Sequence, residues 1–346
     1  MGKVEQAILD ILNESREIYQ SDLVRQTGYS RSRVSEVLSL LEKKGRVSRA
    51  PLGKNFRVIL NGNGKSVTRS RKDARKTLSL GMIRASEYPF IIPFEKLLRD
   101  RMGVTLRYVV YDNGINLSRD LSQFRLDLGI APVLTHFVFF STGSPIKMIA
   151  PAGSGGAAIL ANTSRKHSKD DFTVATTKLS TMELMLRSSM NDGDIPRDSR
   201  VEYCSSPGQM INAVLSGEVD ATCIWEPYST QLMKKRGFKR LVRYNSLNEE
   251  HICCALAAGN HLEVDFLSRI AKTFRESIDE FRKNQEKFIP PYAAFMRFDE
   301  KTVNISSKEY SYPTQLDHRG LAKQFEKAGV RIPIASSVKE AVLPSS

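Results

Sequence analysis

Apolar residues near the start of the chain recur every three or four positions. Val4, Ala7, Ile8, Ile11 and Leu12 form one stripe, which predicts an amphipathic helix ending near Asn13. Ser21 opens a short second helix carrying Leu23 and Val24, and Gly28 supplies a turn. Ser30 then caps a third helix in which Val34, Val37, Leu38 and Leu41 share a face, with Tyr29 and Val34 spaced as a hydrophobic staple. Ser32, Ser35, Glu36, Ser39 and Lys43 fall on the opposite face, with Arg31 and Arg33 on its flanks. Gly45 stands where a glycine would end that helix, and Arg46 to Arg49 and Phe56 to Leu60 read as a hairpin around Pro51 to Asn55. Residues 61 to 76 lose all periodicity, hold two glycines and six basic residues, and read as a linker. From Thr77 apolar strands alternate with helices, a texture that predicts an α/β fold with a largely parallel sheet, usually split into two lobes. The boundaries expected are 1–60, a linker at 61–76, and 77–346, with a first lobe at about 77–172 and 250–346 and a second at about 173–249.

The 346 residues suffice for two or more cored domains. The formal charge of +14 is concentrated: residues 1 to 76 hold 17 Lys and Arg against 8 Asp and Glu. That clustering favours a nucleic-acid partner for the first segment. The four cysteines, Cys204, Cys223, Cys253 and Cys254, sit in apolar runs without metal-ligand spacing, which implies reduced structural thiols and no metal. No apolar leader precedes a small-residue cleavage site, and no run of about 18 apolar residues occurs. A cytoplasmic protein is expected on that ground.

The phrase VSEVLSLLEKKGRVSR resembles the winged helix-turn-helix domain of MarR-like and archaeal regulators. On this reading Ser30, Arg31, Ser32, Arg33 and Ser35 reach base edges and phosphates, while Arg49, Lys54 and Arg57 of the wing meet the backbone. A second resemblance covers residues 77 to 340. SPGQMINAVLSGEVDATCIWEPYST, with LDLGIAP and IKMIAPAGSGGAAIL, is similar to the type 2 periplasmic binding proteins of the sulfonate, nitrate and thiamine-precursor branch. It implies a cleft at the strand end formed by Trp225, Glu226, Pro227 and Tyr228.

The residues themselves add candidates for that cleft. Thr177, preceded by Thr176, with Ser180 and Thr181 stands where a helix N-terminus offers N–H groups to an anion. Gly155, with Gly153 and Gly156, would let backbone approach a ligand. Trp225 is placed for stacking, and Ser86 and Tyr88 follow the first strand of the lobe. No nucleophile elbow, phosphate-binding GK[ST] loop or metal-spaced histidine pair occurs, and neither cofactor nor catalysis is expected. Together these features predict a ligand-responsive transcription regulator, a homodimer on double-stranded DNA, sensing a small anion or a thiamine-precursor-like heterocycle. Two alternatives stand beside it: a pyrimidine-synthase-like enzyme relying on His136 or His251, and a solute-binding module for a transporter.

Overall fold

The computed structural model describes residues 3–15, 17–44, 46–52, 55–60, 77–164, 171–244, 252–330 and 335–343. The expected linker, Gly45, Lys54 and His251 lie outside them. Chain contacts divide the molecule into residues 1–74 and 75–346.

The first unit runs α1 (Lys3–Ser15), β1 (Glu17–Tyr19), α2 (Gln20–Thr27), α3 (Arg31–Lys43), β2 (Val47–Leu52) and β3 (Asn55–Leu60). Its sheet has the order β1-β3-β2, antiparallel throughout. Ile8, Leu12, Leu23, Val34, Leu38 and Leu41 form the core, so the helical stripes face one another. Ser30 caps α3 by accepting from the N–H of Arg33, and Gly28 ends α2 at φ 71°. α2 starts one residue before Ser21, on Tyr19, which makes no side-chain cap.

The second unit has two lobes. In the first, β4 (Thr77–Ile83), α4 (Ile91–Met102), β5 (Thr105–Tyr111), α5 (Gly114–Ser122), β6 (Leu128–Pro132), α6 (Val133–Ser141) and β7 (Ile146–Gly155) follow in turn. The chain then crosses to the other lobe through β8 (Ala157–Asn162), β9 (Thr173–Thr177), α7 (Thr181–Asp192), β10 (Arg200–Cys204), α8 (Pro207–Ser216), β11 (Ala221–Trp225), α9 (Tyr228–Met233) and β12 (Phe238–Tyr244). It returns with β13 (Ile252–Gly259), α10 (Val264–Lys283), α11 (Gln285–Met296), α12 (Glu300–Ser306), β14 (Tyr310–Ser311), α13 (His318–Lys327) and α14 (Ala335–Ala341).

The sheets are ordered β14-β7-β13-β6-β4-β5 and β10-β9-β11-β8-β12. Both are mixed rather than largely parallel. β13 runs antiparallel to β6 and β7, and β8 runs antiparallel to β11 and β12. A strand that has just crossed between lobes needs no helical crossover within its new sheet, so it enters antiparallel. For the same reason the lobe boundary falls at Gly156 rather than near residue 172: β8 is wholly buried inside the second sheet. The central strands β8, β11 and β13 are buried along their whole length, as strands covered on both faces must be. α10 lays Leu267, Ile270, Phe274, Ile278 and Phe281 inward at helical period, and Phe274 meets Phe90 and Phe94 edge-on at 5.1 Å.

Candidate functional site

The strand ends of both lobes meet in a cleft that is closed. Thr135 at the start of α6 donates to the carbonyl of Leu179 at 2.6 Å, and Thr181 at the start of α7 donates to the carbonyl of Cys253 at 2.6 Å. Trp225 Nε1 donates to the carbonyl of Arg84 at 2.9 Å, and the Ser86 N–H donates to the carbonyl of Glu226 at 3.1 Å. Asn113 Nδ2 reaches the carbonyl of Ser205 at 2.9 Å. Among these bonds lies a small, partly open cavity of about 30 Å³, space for about one water molecule.

Tyr88, Thr177, Ser180, Thr181 and Trp225 all line this cavity. Ser180 caps α7 by accepting from the N–H of Glu183 and donates to the carbonyl of Thr177 at 2.6 Å. The first N–H groups of α7, at Thr181 and Met182, therefore stand at the cavity with the positive end of the helix. No Lys, Arg or His lines it among the described residues.

Three expected contacts are absent from the lining. Ser86 is buried against Ser306, whose hydroxyl donates to it at 2.8 Å. Gly155 pairs with Tyr310 in the sheet. Glu226 turns away, accepting from Ser229 and from the N–H of Thr230, which draw its carboxyl down against the larger upward push of burial. The glycines also make room for protein rather than ligand. A Cβ on Gly153 would collide with the Glu87 carboxyl, and one on Gly156, at φ 67°, would land in the Tyr310 ring.

The pattern of the chain did not single out Glu87, Cys253 and Cys254, yet all three line the cavity. Glu87 is 2% exposed, and its Oε1 has no hydrogen-bond partner. Burial pushes its carboxyl up to about 8, with Cys254 and Tyr88 nearby opposing weakly. At neutral pH this group is an uncharged acid, able to donate one hydrogen bond and accept another. The Tyr88 hydroxyl donates to Cys254 Sγ at 3.2 Å. The available signal was a charged residue directly behind a buried strand, in SEYPF. His136, the candidate of the enzyme alternative, is 1% exposed in the first lobe and absent from the lining.

A family described as NMT1-like matches residues 71–264, more than half of the chain. The chain belongs to the NMT1-like family. Residues 3–61 match a domain family of unknown function. No curated protein matches. Among solved structures, the periplasmic aliphatic sulphonate binding protein of Escherichia coli is similar to this NMT1-like chain, at 16% identity and a TM-score of 0.64 over 79% of this chain and 94% of that one. The ligand-binding component of an ABC-type import system from Staphylococcus aureus gives 18% and 0.65, over 78% and 99%. The alkanesulfonate-binding protein of Xanthomonas axonopodis pv. citri, bound to MOPS, gives 18% and 0.64, over 77% and 98%.

These findings correct the reading of the NMT1-like chain as a cytoplasmic, DNA-binding, homodimeric regulator. The proteins it is similar to include a periplasmic sulphonate-binding protein, an alkanesulfonate-binding protein and an importer component, and its first unit matches a family without a known function. Side chains in that unit agree with the correction. Arg49 donates twice to Glu42 Oε2, at 2.9 and 3.1 Å, and once to Ser39 Oγ, so its guanidinium is bound internally. Arg33 pairs with Glu36 at 2.8 Å, while Ser30 and Ser32 lie 3.1 Å apart and Ser30 is spent as a cap. The Ser35 carbonyl accepts from Ser39, Arg31 opens α3, and Arg57 sits on β3 opposite Tyr19 and Ala50. Arg33 and Arg49 are thus held by acids of the same unit, while the surplus of basic residues, which already counts those acids, is unchanged.

Proposed function

We propose that this NMT1-like chain is a solute-binding module, not an enzyme, whose two lobes close on a small molecule and present it to an ABC-type import system. The observation that carries the reading is the cavity where the N-terminus of α7, Thr177, Ser180 and Thr181 from one lobe face Tyr88 of the other. A small anion such as a sulfonate is the first ligand class. Its oxygens would take the α7 N–H groups, with helix dipole in place of a cationic side chain. The similarity to sulfonate-binding structures supports the same class. A thiamine-precursor-like heterocycle is the second, favoured by Glu87, whose neutral carboxyl matches a paired donor and acceptor.

A thermal-shift and calorimetric screen over alkanesulfonates, sulfate, nitrate and aminopyrimidines tests the reading. A ligand at roughly a hundredfold above its Kd stabilises the folded state by about 2.7 kcal/mol, several degrees in Tm. Glu87→Gln separates the two classes, because it should spare sulfonate binding and weaken that of the heterocycle. Absence of binding by every compound at millimolar concentration would sink the proposal.

A further inference from the structure

Two consecutive residues of a regular strand point to opposite faces, yet Cys253 and Cys254 both line the cleft cavity, with their Sγ atoms 3.6 Å apart. The cause is a double irregularity. The pairing of β13 with β7 shifts register between Ile252 and Cys254 and again between Cys254 and Ala255, and such bulges abolish strict alternation. Glu87 faces the pair from the loop after β4, and one ligand atom from each of the three residues lies within 4.8 Å of the others. Gly153 leaves the space that the carboxyl occupies. The orphaned, buried Oε1 of Glu87 is an independent sign that this corner is built for something that neither sheet supplies.

We propose that Glu87, Cys253 and Cys254 hold a thiophilic divalent cation, zinc being the best match, at the wall of the cleft. A tetrahedral zinc with bonds of about 2.3 Å to sulfur sets two thiolates about 3.8 Å apart, close to the separation observed. Calcium and magnesium are disfavoured, because they take oxygen ligands in numbers that this site does not offer. Three protein ligands leave a fourth position, and the cavity beside them has the volume of a water molecule. Two thiols and a carboxyl face the cavity, so loading the ion releases their protons to solvent. Tyr88, donating to Cys254 Sγ, is a positioning residue that orients one ligand. The site stands on these three side chains alone; because a bound ion holds Glu87 as a carboxylate, it is compatible with the sulfonate class proposed above and competes with the heterocycle class.

The test uses the full-length chain, reduced, stripped with EDTA and kept anaerobic, with no solute added. Cobalt(II) titration should produce a sulfur-to-cobalt charge-transfer band in the near ultraviolet, saturating at one equivalent and bleached by zinc. Cys253→Ser and Cys254→Ser should each cut the band to about half or less and together abolish it, Glu87→Gln should shift it and weaken binding, and Tyr88→Phe should weaken binding about 10- to 100-fold. Cys204→Ser, outside the site, should change nothing. If a variant misfolds, the wild-type protein still decides: zinc should protect Cys253 and Cys254, but not Cys204, from alkylation mapped by mass spectrometry. No band at a molar excess of cobalt, a band of undiminished intensity in the double cysteine variant, or protection of no thiol overturns the proposal.

Discussion

His136 offers a way to separate a stability role from a functional one. It lies on α6, 1% exposed, with Nδ1 3.1 Å from the Ser118 hydroxyl of α5 and Nε2 without a hydrogen-bond partner. Burial pushes the imidazole down to about 4 from an ordinary 6.5, against a weaker opposite pull from the backbone at Gly129 and Ala255. Below pH 6.5 the unfolded chain takes up a proton that the folded chain refuses until about pH 4. Stability from this group is therefore complete above 6.5 and is lost as pH falls through that window. At about 1.4 kcal/mol per tenfold in proton affinity, the loss approaches about 3 kcal/mol. Trp225, the single tryptophan, is buried in the lobes, so its fluorescence follows unfolding of this unit in urea. The gap in unfolding free energy between the wild-type protein and His136→Asn should shrink by about 3 kcal/mol from pH 7.5 to pH 4. Taking the difference cancels every other titrating group. A gap constant across the range refutes the reasoning, and a change in solute affinity at pH 7 would return His136 to the site.

Glu87 titrates in the other direction. Its folded value of about 8 exceeds the unfolded 4.5, so stability falls as pH rises between the two, by up to about 5 kcal/mol in metal-free buffer. Glu87→Gln should remove that decline, and parallel curves for the two proteins would contradict it. Gly156→Ala combines a positive φ with collision into Tyr310, which predicts a loss of at least about 1–3 kcal/mol in urea unfolding; wild-type stability would mean that the ring yields freely. Arg49→Ala should destabilise the first unit by about 1–3 kcal/mol through its lost bonds to Glu42. Arg49→Lys should restore little of that loss in the same thermal melts, because an ammonium cannot reproduce the fork.

Periodicity recovered what is local. The face of Val34, Val37, Leu38 and Leu41, the Ser30 cap and the αL turn at Gly28 were all legible, because each depends on neighbours within one helical turn. Of the candidate cleft residues, those near the start of α7 and the end of β11 line the cavity, since strand ends and helix starts gather at a crevice. The misreadings concern partners that only folding brings together. Arg49 looked free because Glu42 lies seven positions earlier on a different element. The glycines of β7 looked like a ligand cradle because Glu87 and Tyr310, which fill the space, come from distant loops. Cys253 and Cys254 looked like ordinary strand residues because no local pattern announces a bulge. Charge misled most, since a surplus counted along the chain says nothing about which acids sit opposite it.

One continuous extended run, Ile146 to Asn162, threads both lobes, interrupted only at Gly156. Gly155 and Gly156 both hold positive φ, a region closed to most side chains. They form a hinge two residues long, laid directly into the sheet of each lobe. On the solute-binding function proposed above, a substitution that stiffens these two glycines is expected to alter how fast solute is caught and released before it alters how tightly solute is held.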